Sequence, residues 1–143
     1  MLHSAGMIAR QCRGLAAACV AAVVFLVGCS SSGSSTPAVC TSVTNLKASV
    51  LDLKNVNVSA NGISAISDQL TKIENELKTV KSDAGSQYST QINGLSSALS
   101  GLGSSLTAAK DNPSGGTLTA LASSAGAVVT AGNNLVSAVS STC

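Results

Sequence analysis

Aromatic side chains are nearly missing from this chain: one phenylalanine, one tyrosine and no tryptophan in 143 residues. Phe25 sits in an N-terminal apolar run, so Tyr88 is the aromatic residue of everything that follows. Small-molecule pockets usually have aromatic walls and converging polar groups, and the chain has almost no material for one. Base-stacking platforms are equally absent, which excludes nucleic acid as a partner. Histidine occurs once, at His3. After it no Cys-His or Ser-His pair can form, and without a CxxC spacing a zinc site is excluded. Charged residues make up only 10% of the chain. Beyond Arg10 and Arg13 the basic residues are Lys47, Lys54, Lys72, Lys78, Lys81 and Lys110, which balance Asp52, Asp68, Glu74, Glu76, Asp83 and Asp111. The formal charge of +2 therefore belongs to the N-terminal segment, and no basic patch remains. Glycine-rich phosphate loops are missing too. No nucleophile has a base, and no carboxylate pair is set in a cleft. The expectation is a protein that is not an enzyme and carries no cofactor and no metal.

What is present begins at the N-terminus. Arg10 and Arg13 precede an uncharged apolar run, residues 15–27, of 13 residues. A membrane-spanning helix needs about 20, so the run has the proportions of an export signal. It ends in Leu26-Val27-Gly28-Cys29, which resembles the lipobox of bacterial lipoproteins: an aliphatic residue, a tolerant position, a small residue and the cysteine. That resemblance implies a removed signal peptide over 1–28. It also implies a thioether-linked diacylglycerol on Cys29 and an acylated amine at the new N-terminus. Each buried CH₂ contributes about 0.8 kcal/mol, so two or three chains hold firmly where one would not. The implied partner is a membrane, reached through lipid on Cys29. The implied address is the extracytoplasmic face of the cell membrane, or the outer membrane in a diderm. Residues 29–39 then read as the lipidated cysteine and a flexible Ser/Gly/Thr tether, a bare spacer or a carrier of O-linked sugars.

Past Pro37 the apolar residues recur at alternating steps of three and four, the spacing of helices that pack lengthwise. Val43, Leu46, Val50 and Leu53 form a first stripe. Ile63, Ile66, Leu70, Ile73, Leu77 and Val80 form a second. Ile92, Leu95, Leu99, Leu102 and Leu106 form a third. The fourth is Leu118, Leu121, Ala125, Val128, Gly132, Leu135 and Val139. The turn-rich segment 55–62 separates the first two, and the Asn-Pro-Ser-Gly-Gly loop at 112–116 separates the last two, with Thr117 available as a cap. Between the second and third, Val80, Ala84, Tyr88 and Ile92 run in steps of four. Two architectures fit. One is an all-α antiparallel four-helix bundle over 40–143, broken near Gly85. The other is one long helix over about 62–110 with two flanking helices. Asp68–Lys72 and Glu74–Lys78 are spaced as i,i+4 ion pairs on a solvated face. Residues 117–143 carry no charge; their Ala, Ser, Gly and Thr faces suit close helix packing or contact with a partner or lipid.

Cys40 and Cys143 flank the helical region. In either architecture the start of the first helix and the end of the last meet, so a Cys40–Cys143 disulfide is expected in an exported, oxidising compartment. Cys12 and Cys19 fall in the signal segment and take no role. The lipobox, the Ala/Ser/Thr/Gly-rich body and the paired terminal cysteines together resemble small helical lipoproteins of actinobacteria. The heptads and the Cys-Ser-Ser start are also similar to the major outer-membrane lipoprotein of enteric bacteria, although that family ends in a wall-linked lysine and this chain ends in Cys143. The expected role is structural or protein-interacting, with an envelope protein or a second copy as partner. The alternative is a carrier of lipid or another apolar ligand between the helices.

Overall fold

The computed structural model describes residues 36–143, with the side chains of 58–61 left out. Four helices follow in order: α1 (Ala38–Asn55), α2 (Val58–Ala84), α3 (Ser89–Asp111) and α4 (Gly115–Ser140). α1 packs on α2 and α4, and α3 packs on the same two. The arrangement is a square, up-down-up-down, antiparallel four-helix bundle, the first of the two architectures that fit the stripes. The expected stripes are its core. Leu46, Ile73, Leu95, Leu121 and Leu135 are fully buried, while Ile63, Leu70, Leu118 and Ala125 pack at its margins.

The alternative of one continuous helix over 62–110 is overturned at residues 85–88. Gly85 takes φ +58 and its N–H donates to Lys81 O at 3.1 Å, a left-handed cap that ends α2. Tyr88 follows at φ 62, ψ 19, a conformation uncommon for a bulky residue. Ala84 and Tyr88 both still lean on the core, so the apolar steps run through the reversal unbroken.

Three boundaries differ in detail from the sequence reading. α1 begins at Ala38 with Val39 buried, so the last two residues read as tether are helical. The 55–62 segment is less of a loop than its composition implies. Only Val56 and Asn57 lie outside the helices, and Gly62, at φ 71 and ψ 176, kinks α2 in a region open almost only to glycine. Ser114, not Thr117, is the N-cap of α4: Thr117 N–H donates to Ser114 Oγ, and Thr117 Oγ1 accepts from Ser114 N–H. That reciprocal box satisfies two of the orphan donors of the helix start.

A Ser/Thr-rich helix surface needs few charges when its hydroxyls are turned inward along the backbone. Thr71, Thr79, Ser100, Ser104, Thr107, Thr119 and Thr130 each donate to the carbonyl four residues back. The ion pair among the described residues is Lys72–Asp52 at 3.7 Å, between α2 and α1, and not the expected Asp68–Lys72 or Glu74–Lys78. Both partners are about half exposed, so it adds little to stability.

Gly94 and Gly101 lie on the outside of α3, where a Cβ would meet nothing within 4 Å. Replacing either by alanine is expected to raise stability by about 0.5–1 kcal/mol. A higher urea midpoint at unchanged slope is the readout; a lower one would contradict the open faces seen there.

Candidate functional site

Antiparallel packing brings three segments to one end of the bundle: the start of α1, the 85–88 turn and the end of α4. Cys40 and Cys143 are joined there, with Cα atoms 5.7 Å apart and a sequence separation of 103. The expected bridge is thus formed. Cys40 is buried on the core, whereas Cys143 is exposed. Cys40 N–H donates to Pro37 O at 2.9 Å, which ties the first turn of α1 to the proline that opens it.

The last turn of α4 is closed by its own hydroxyls. Ser140 Oγ donates to Ser137 O at 2.7 Å and Ser141 Oγ to Ala138 O at 3.1 Å. The Thr142 and Cys143 N–H groups both reach Val139 O. The Tyr88 hydroxyl and Thr142 Oγ1 are hydrogen-bonded, so the α2–α3 turn is fastened to the end of α4. Sequence spacing gave no sign of this second clasp. Its signal is only retrospective: the lone aromatic of the domain lies at the turn that topology places beside the C-terminal segment. Beside the disulfide a groove of about 420 Å³ runs between α1 and α4, floored by Val43, Val136 and Val139, with Lys47 at its rim.

Chemically, this end offers a closed disulfide and hydroxyls already in use. Among the described residues no group of three or more His, Cys, Asp or Glu is placed to hold a metal ion, and no helix is long and apolar enough to cross a membrane. Comparison with protein-family models, curated proteins and solved structures finds no match. Any functional reading therefore stands on the residues themselves. Leu26, Val27, Gly28 and Cys29, the expected lipidation site, lie outside the described residues.

Sequence reasoning also missed a polar seam between α1 and α2. Ser42 and Ser49 are buried there, and the same seam holds the Asp52–Lys72 pair. The signal was available: residues 42, 45, 49 and 52 are polar at 3-4-3 spacing, as are 69, 72, 76 and 79.

Proposed function

We propose that the chain is a lipid-anchored lipoprotein of the cell envelope with a structural or protein-interaction role and no catalytic activity. The observation that supports this most is the order of features in one covalent line: basic residues, a short apolar run, Leu-Val-Gly-Cys, a Ser-rich leash, then a disulfide-closed bundle. A domain closed by a disulfide suits an oxidising compartment outside the cytoplasm. The chain joins the bundle at Thr36–Pro37, next to the Cys40–Cys143 bridge.

Mass spectrometry of the membrane fraction tests the anchor: the expected N-terminal residue is an acylated Cys29. Cys29→Ser is expected to move the protein out of that fraction. A mature chain starting elsewhere, or a serine variant that stays with the membrane, would overturn the reading. Crosslinking in intact cells then tests the partner: adducts confined to lipid and to the protein itself would remove the envelope-protein half of the proposal.

The alternative, a carrier of apolar ligand, has less behind it. Leu46, Ile73, Leu95 and Leu135 fill the centre of the bundle. The larger volumes, about 380 and 420 Å³, are grooves open along the α2–α3 and α1–α4 flanks.

A further inference from the structure

Ser49 Oγ, Gln69 Oε1 and Glu76 Oε2 are buried polar atoms without a hydrogen-bond partner. Ser49 and Glu76 belong to the α1–α2 seam, where a groove of about 230 Å³ is lined by Ser42, Asn45, Ser49, Lys72, Glu76 and Thr79. Ser49 is 0% exposed. Asn45 offers an amide at the groove, and three further polar groups there are committed. Ser42 Oγ donates to Val39 O at 3.1 Å, Thr79 Oγ1 donates to Asn75 O at 3.3 Å, and Lys72 is paired with Asp52. By contrast, the α3–α4 seam satisfies itself: Ser105 and Ser124 hydroxyls meet at 2.7 Å. Among the described residues, the α1–α2 groove is where a buried carboxylate oxygen and a buried hydroxyl lack a partner, and leaving such bonds unmade is costly.

A buried carboxylate oxygen is best satisfied by a cationic N–H donor. The groove is smaller than the roughly 300–1,000 Å³ of a drug-sized site, so the donor must be carried by a small group. We propose that the α1–α2 groove binds a primary ammonium group, which donates to Glu76 Oε2 and Ser49 Oγ. The ammonium can come from a free small amine or from the headgroup of an aminophospholipid.

The test uses the isotope-labelled full chain in an amine-free detergent, titrated with ethanolamine and, separately, with choline. Choline has the same charge and no N–H donor. Saturable shifts at the Ser49 and Glu76 amides are expected with ethanolamine and not with choline. Glu76→Gln should weaken the response at least tenfold, with helical content unchanged. Ser49→Ala, which removes a buried hydroxyl without adding bulk, should weaken it several-fold and serves if the first variant misfolds. A parallel arm compares nanodiscs of phosphatidylethanolamine and phosphatidylcholine. A response only there identifies the headgroup as the source. No response in any arm, an equal response to choline, or an undiminished response in Glu76→Gln would overturn the proposal. So would an ordered water bridging Ser49 and Glu76 that ethanolamine fails to displace.

Discussion

Cys143→Ser is expected to lower the thermal unfolding midpoint by roughly 15–40 °C. A cross-link spanning 103 positions restricts the unfolded chain by about 4–5 kcal/mol in the entropic account. A domain of this size shifts its midpoint by about 4–8 °C for each kcal/mol. The loss is large because little else compensates. The recorded ion pair is half exposed, and α3 carries three glycines, at 94, 101 and 103. Cys143 is exposed, so the serine adds no buried polar group and the loss reports the cross-link alone. Cys40→Ala removes the same bond from a site only 6% exposed and should cost slightly more. The decisive measurement is calorimetry of the double variant. Its midpoint should fall close to that of Cys40→Ala, because both changes break one bond. Two fully additive losses would show that the stability resides in the separate thiol sites and not in their union.

Gly132→Leu should prevent the bundle from closing, and Gly132→Ala should cost about 1–3 kcal/mol net. Gly132 is buried on α4, and a Cβ there would stand 2.9 and 3.0 Å from the two Cγ atoms of Val50 on α1. Val50 is 2% exposed and its branched side chain is stiff about χ1, so it cannot swing aside. Alanine favours a helix over glycine by up to about 1 kcal/mol, and that gain is overcome by the collision. Pairing Gly132→Ala with Val50→Ala should recover part of the loss. In a urea-denaturation cycle the two changes should couple favourably by about 1 kcal/mol or more. Independent effects would mean that the α1–α4 crossing can widen at little cost. The opposite sign expected at Gly94 and Gly101 makes the point that composition hides: the same residue is a liability on an open face and a necessity at a crossing.

The stripes were legible because Leu, Ile and Val mark the core at nearly every step, and helices that pack lengthwise keep those steps regular. The disulfide was legible because both candidate architectures bring Cys40 to Cys143. The α2–α3 reversal near Gly85 was legible as one of two architectures, since Val80, Ala84, Tyr88 and Ile92 face the core whether the chain turns or continues. What differs is the left-handed backbone at Gly85 and Tyr88, and tyrosine gives no warning of that conformation. Thr117 and Ser114 are partners in one capping box, so a reading that looked for a single cap could choose the wrong half. Lys72 was read with Asp68 because only partners along the same helix are visible in a linear chain. Asp52 becomes its neighbour once the α1–α2 register exists. The polar stripe through Ser49 was visible in its spacing, but beside a seam a polar stripe and a solvated face have the same spelling.

The bridge at the α1 end also determines how the domain carries mechanical load. A pull on the chain ahead of Thr36 reaches Cys40 within the first turn of α1. There it divides, one share running down α1 and the other crossing the sulfurs into the end of α4. Two adjacent, antiparallel helices are then tensioned side by side from a single point. α2 and α3 take up load from that end through the 85–88 turn, the Tyr88–Thr142 contact and their packing on α1 and α4. Cutting the bridge would leave α1 to bear the whole force and peel from its neighbours one turn at a time.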